Sequence, residues 1–171
     1  MRNEAHCKQE KNNLIVEQNR SRAMEVPVDP MSILLVDDNP GFLRILTNYL
    51  EKSSQGEIVI VGTALGGREG LTKAEALRPR VVVIDLAMPD LHGLAAIPQL
   101  RTILPDAGII ALSLLDSSSY REEALAMGAN EFVSKARLDA DLIPAIRRLG
   151  DCARSCQESV NGPGRSEAPA A

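Results

Sequence analysis

Four runs of consecutive apolar residues, Ile33-Leu34-Leu35-Val36, Ile58-Val59-Ile60-Val61, Val81-Val82-Val83-Ile84 and Ile109-Ile110-Ala111-Leu112, punctuate the middle of the chain, and Glu131-Phe132-Val133 is a weaker fifth. They are continuous and mostly β-branched, the pattern of strands covered on both faces. Between them the apolar period changes to that of a helix. Phe42, Leu43, Leu46, Tyr49 and Leu50 fall on one stripe behind Asn39-Pro40, an N-cap and N1 pair. Leu71, Ala74 and Leu77 predict a second helix, and Leu94, Ile97, Leu100 and Leu104 a third. The fourth is expected to open on the capping box Ser119-x-x-Glu122 and to stop at Gly128. Leu142, Ala145, Ile146 and Leu149 mark the fifth. Pro98 and Pro144 fit the third and fifth only if those helices begin just before them, because an interior proline removes a backbone donor. Alternating strands and helices predict a parallel sheet with helices on both faces, and hence a ligand crevice beyond the C-terminal strand ends.

Length and polarity divide the 171 residues into three parts. Residues 1–30 are polar, with too few apolar side chains to offset the entropy of ordering, and read as a flexible arm with a short helix near Leu14–Gln18. Residues 31–150 carry the folded domain, and 151–171, ending in NGPGRSEAPAA, read as a disordered tail. The net charge of −4 is spread along the chain with no basic block, and the four aromatics offer no stacking platform, so nucleic acid is a poor partner. Apolar runs are far too short to span a bilayer, and the N-terminus has charges where a signal peptide is apolar. Cys7, Cys152 and Cys156 all lie outside the apolar middle, which argues against a disulfide framework and for a cytoplasmic setting.

The residues that close the strands carry the chemistry. The first run ends in Asp37-Asp38, the third in Asp85, the fourth in Ser113, and the fifth is followed by Lys135. A parallel sheet brings all of them to one rim. Three carboxylates against one ammonium are unfavourable without an added cation, and an oxygen-only donor set suits a hard divalent ion, Mg²⁺ above all. A carboxylate left facing such a site can attack a phosphoryl group, with Lys135 and the Ser113 hydroxyl meeting its oxygens.

In the ordered set Asp37-Asp38, Asp85-Leu86-Ala87-Met88-Pro89 with Gly93, Ser113 and Phe132-x-x-Lys135, the sequence closely resembles the receiver domains of bacterial two-component response regulators, over roughly residues 32–149. The resemblance implies a flavodoxin-like doubly wound α/β fold, strand order 2-1-3-4-5, with five flanking helices. It implies Asp85 as phospho-acceptor from a sensor histidine kinase or phosphotransfer protein. Asp38, Asp85 and the Ala87 backbone carbonyl are implied as Mg²⁺ ligands, with Asp37 acting mainly through water. Lys135 would pair with phosphoryl oxygens, and Ser113 and Phe132 would form the switch pair that remodels the helix 4/strand 5/helix 5 face, a surface also suited to homodimers. Ala136 stands where many members carry a cis-bonded proline after the lysine, and Phe132 has no hydroxyl, so that switch would act by packing. The apolar residues Ala87 and Leu115 flank the approach of hydrolytic water in the family, and Leu115 is expected to obstruct it.

Other readings weigh less. The receiver half of a DNA-binding regulator would need about sixty further residues with a recognition helix, whereas twenty-one follow Gly150. A phosphatase on a similar sheet wants a second carboxylate where Ala87 stands. A phosphorylation-independent pseudo-receiver is countered by the complete acidic set. His92 reads as a surface loop residue, the Cys152/Cys156 pair as inert, and Gly66-Gly67-Arg68-Glu69-Gly70, without a trailing Gly-Lys-Ser/Thr, as a loop opening the second helix. The expectation is a stand-alone receiver whose output is a protein contact and which turns over no external metabolite.

Overall fold

A computed structural model describes residues 30–115 and 117–158. Five strands alternate with five helices: β1 (Met31–Val36), α1 (Pro40–Ser53), β2 (Ile58–Ala64), α2 (Gly67–Leu77), β3 (Val81–Asp85), α3 (Gly93–Ile103), β4 (Gly108–Ser113), α4 (Ser118–Ala126), β5 (Glu131–Ser134) and α5 (Leu138–Glu158), with a 3₁₀ turn at Lys135–Arg137. All pairings are parallel, in the order β2-β1-β3-β4-β5. The doubly wound sheet expected from the alternation is therefore present, with that strand order.

Alternation along each buried strand supplies two cores. Leu34, Val36, Val82, Ile84, Ile109, Ala111 and Phe132 face one side, against α2, α3 and α4. Ile33, Leu35, Val81, Val83, Ile110, Leu112 and Val133 face the other, against Leu43, Leu46 and Leu50 of α1 and Leu142, Ala145 and Ile146 of α5. Since both faces are covered, continuous apolar runs are the stable pattern.

Asn39 caps α1 as expected, its side chain accepting from the Gly41 and Phe42 N–H groups with Pro40 in the first turn. Three expectations need correction. Both α3 and α5 run through their prolines, starting at Gly93 and Leu138, five and six residues before Pro98 and Pro144. Each places an unbroken apolar face on the sheet, Ala96, Ile97 and Leu100 in α3 and Leu142, Ala145 and Ile146 in α5, and that packing outweighs one missing backbone bond. The cap of α4 is Ser117, two residues before the expected box, with its hydroxyl accepting from the Tyr120 N–H at 3.3 Å. The stop at Gly128 holds, with φ +108°. Finally, α5 continues to Glu158, so the boundary expected at Gly150 falls inside that helix. The helix expected near Leu14–Gln18 lies outside the described residues. Among the described residues no helix is long and apolar enough to cross a membrane.

Candidate functional site

The sheet delivers polar residues to one rim because Asp37 follows β1, Asp85 and Ser113 close β3 and β4, and Lys135 follows β5. Asp37 extends the β1–β2 ladder by one bond, its N–H donating to the Ala64 carbonyl at 3.0 Å. Its buried carboxylate is held from two sides: one oxygen accepts from the Asn39 N–H at 2.9 Å and the other from Lys135 Nζ at 2.6 Å. Asp85 closes β3 and is only 4% exposed. The chain leaves it tightly, for the Leu86 N–H donates to the Leu112 carbonyl at 2.9 Å, and Gly93 returns so close that a Cβ there would strike the Asp85 carbonyl oxygen. This close approach is why position 93 is glycine.

Lys135, 98 residues away from Asp37 in sequence, sits between the two acids, 2.6 Å from Asp37 and 3.1 Å from Asp85, with its side chain 10% exposed. Asp38 is exposed beside them. Asp37, Asp38 and Asp85 each offer an oxygen within 4.8 Å of the other two. Burial pushes the Asp85 carboxyl above the ordinary aspartate value. The Lys135 ammonium pulls it down as charge and donor, the Asp37 charge raises it, and the Ala87 N–H, donating to it, lowers it. The pocket thus holds three carboxyl groups and one ammonium, and burial makes Asp85 harder to ionise than an ordinary aspartate. Clustered hard oxygen donors with an open side at Asp38 fit a divalent cation of the Mg²⁺ class.

Of the other predicted residues, Ser113 and Phe132 have no hydrogen bond or ion pair to this group among the described residues. Ser113 ends β4, paired in register with Ser134 one step beyond Asp85 and Leu112. It is buried, and its hydroxyl accepts from the Leu115 N–H at 3.0 Å. Leu115 is 59% exposed. Ala87 meets the site through its N–H, whose hydrogen bond helps to lower the Asp85 carboxyl. Phe132 is buried in the core against α4, where the Arg121 guanidinium lies 4.8 Å from the ring centroid and donates to the Phe132 carbonyl at 3.4 Å.

His92 is exposed and caps α3, its Nδ1 accepting from the Leu94 N–H at 3.4 Å. The Gly66–Gly70 segment does open α2. The Gly67 and Arg68 N–H groups each donate at 3.0 Å to the carboxylate of Asp90, from the loop after β3. These contacts, led by the Arg68 N–H, hold the Asp90 carboxyl below its usual range. A Cβ on Gly66 would lie 2.7 Å from that carboxyl group, so the cap from a distant loop occupies the space a side chain would need. Sequence reasoning missed three residues here: Asp90, whose partners lie 22 and 23 positions earlier, Arg121, and Phe42, whose ring stands over Lys135 with its centroid 4.5 Å from Nζ. Of these only Phe42 carried a signal, as one of four aromatics in the chain, just after the paired acids.

A doubly wound parallel sheet with an acidic, lysine-paired pocket at its C-terminal strand ends defines the class of the molecule. The chain belongs to the response regulator receiver domain family, whose model matches residues 33–147. Chemotaxis protein CheY of Thermotoga maritima is 30% identical over 117 residues, covering 68% of this chain and 95% of that protein. A protein-glutamate methylesterase/protein-glutamine glutaminase of Maricaulis maris is 35% identical over 105 residues, covering 60% of this chain. The match spans only 26% of that enzyme's length. Among solved structures, a two-component response regulator of the LuxR family from an Aurantimonas species superposes with a TM-score of 0.67 at 25% identity, covering 78% of this chain and 100% of that one. Receiver domains are signalling modules, and this chain carries the acidic cluster of one.

Proposed function

We propose that this chain accepts a phosphoryl group on Asp85 and signals through protein contact. The observation that carries the reading is the buried Asp85 carboxylate at the end of β3, with Lys135 Nζ at 3.1 Å and the oxygens of Asp37 and Asp38 within 4.8 Å. An Asp85 oxygen attacks the phosphorus of a phosphohistidine on a sensor histidine kinase or phosphotransfer protein. The P–N bond breaks with its electron pair remaining on the imidazole, and an aspartyl phosphate forms. Asp37, Asp38, Asp85 and the Ala87 carbonyl would hold Mg²⁺, which supplies neutralising charge for the phosphoryl oxygens. Lys135 moves from carboxylate to phosphoryl oxygen. The Ser113 hydroxyl leaves the Leu115 N–H to donate to another oxygen, and the Phe132 ring shifts into the space vacated, carrying Arg121 and the α4/β5/α5 face with it. That face is the output surface, for a downstream protein or for a second copy of the chain. No external metabolite is consumed, since the domain promotes its own phosphorylation and hydrolysis.

Intact-mass spectrometry after incubation with acetyl phosphate and Mg²⁺ tests the reading. The wild type should gain one phosphoryl group, about 80 Da by the stoichiometry of such a transfer, and Asp85→Ala none. Lys135→Ala should be phosphorylated yet fail to remodel the output face. Unchanged mass in the wild type, or equal uptake by Asp85→Ala, contradicts the proposal. Leu115 obstructs the hydrolytic water, so Leu115→Ala should shorten the lifetime of the phosphoryl group; an unchanged dephosphorylation rate removes that role.

A further inference from the structure

The residues from 37 to 42 surround the Lys135 ammonium on two sides. Asn39 organises them: its N–H donates to Asp37, fixing the carboxylate, and its side-chain oxygen accepts from the Phe42 N–H at 3.1 Å, fixing the first turn of α1. The Asp37 carboxylate accepts a hydrogen bond from the ammonium at 2.6 Å, and the Asp85 carboxylate pairs with it at 3.1 Å. The ammonium also lies over the Phe42 ring, 4.5 Å from its centroid. Phe42 also packs at the edge of the core beside Leu43, Leu46 and Leu50, but it is only half-buried, and its ring face is turned to the ammonium.

We infer that Phe42 is a positioning residue for phosphoryl transfer, holding the Lys135 ammonium over Asp85 by a cation–π contact. This deepens the reading of Asp85 as acceptor and rests on it. An aromatic face suits the task because its attraction is broad in angle and carries no net charge. The ammonium can turn from a carboxylate to a phosphoryl oxygen without losing the ring. A further carboxylate would add to the surplus of negative charge around Lys135, and an aliphatic side chain would offer the ammonium no electrostatic attraction. The low exposure of Lys135 strengthens the contact, since cation–π attraction grows with desolvation.

The test replaces residue 42 by Leu, by Tyr and by phenylalanines carrying one, two and three ring fluorines, which drain the negative face while nearly preserving shape. Phosphoryl uptake from acetyl phosphate with Mg²⁺ and the NMR shift of the Lys135 Hε protons are read in each. Phe42→Leu should slow uptake roughly three- to tenfold, the rate equivalent of one such contact. Phe42→Tyr should restore the rate, and fluorination should lower it stepwise. The Hε protons should be shifted upfield by the ring current in the wild type and return to ordinary positions in Phe42→Leu. Equal rates across the fluorinated series, a wild-type rate in Phe42→Leu, or no upfield shift in the wild type overturns the inference. Uptake that ignores residue 42 defeats the inference alone, whereas no uptake by the wild type defeats the acceptor reading and the inference with it.

Discussion

Each end of the sheet holds a basic side chain that ties several elements together, and the two are satisfied in different ways. At the N-terminal end of β4 and β5, Arg101 of α3 donates to the carbonyls of Pro105, Ala107 and Gly128 and to the Asn130 side chain, all at 2.8 Å. Asn130 passes the connection on by accepting from the Ile109 N–H at 2.8 Å. Every partner is neutral and close, and one planar fork matches all four oxygens. At the C-terminal end, Lys135 faces two buried carboxylates, with a third beside them, and one ammonium does not balance three negative charges. Four neutral acceptors on the two terminal nitrogens mark Arg101 as structural. The imbalance around Lys135 suits a site that takes up an added positive charge, which is the role proposed for Mg²⁺.

The contrast predicts effects of different size and sign. Arg101→Ala should be the most damaging, taking the guanidinium donor from the Pro105, Ala107 and Gly128 carbonyls and one of two donors from Asn130; a loss of about 3 kcal/mol in urea unfolding is expected. Lys135→Ala should cost about 2 kcal/mol in chelator by leaving the buried acids uncompensated, and Mg²⁺ should recover part of this, as it cannot for Arg101→Ala. Asp85→Asn should act in the opposite direction, raising metal-free stability by up to about 1 kcal/mol because it removes a buried charge.

The same comparison fixes a pH dependence. Because the Asp85 carboxyl is raised by burial, the folded chain binds more protons than the unfolded one between the ordinary aspartate value and the elevated one. Its contribution therefore falls as pH rises through that window. Asp85→Asn should remove that slope from metal-free denaturation curves. Asp90 runs the other way. Its lowered carboxyl stabilises the fold above the ordinary aspartate value and loses that effect as pH falls through the depressed one. Asp90→Ala should cost the least of the set, about 0.5–1 kcal/mol as a lost helix cap, with the loss shrinking in acid.

What the sequence made legible follows from the range of the interactions. Continuous β-branched runs announced strands buried on both faces, and the first polar residue after each run announced the rim. Asn39-Pro40 announced α1 because a cap acts within three residues. Pro98 and Pro144 point to late helix starts because a proline acts on the backbone next to it, whereas the apolar faces that hold α3 and α5 on the sheet act over the whole helix. Ser119 was preferred over Ser117 because a box motif was visible, whereas the cap in use needs only one hydroxyl and the Tyr120 N–H. The cap of α2 by Asp90, the Arg101 hub and the ring over Lys135 join residues far apart in sequence, and no local pattern encodes such pairings.

A titration of the metal-free chain with Mg²⁺ at neutral pH, followed by calorimetry, tests the unbalanced pocket most directly. One ion should bind per chain, with binding lost in Asp38→Ala and Asp85→Ala and retained in Arg101→Lys. No heat of binding in the wild type, or equal binding after both acidic substitutions, would contradict a pocket built by Asp37, Asp38 and Asp85 to receive a cation.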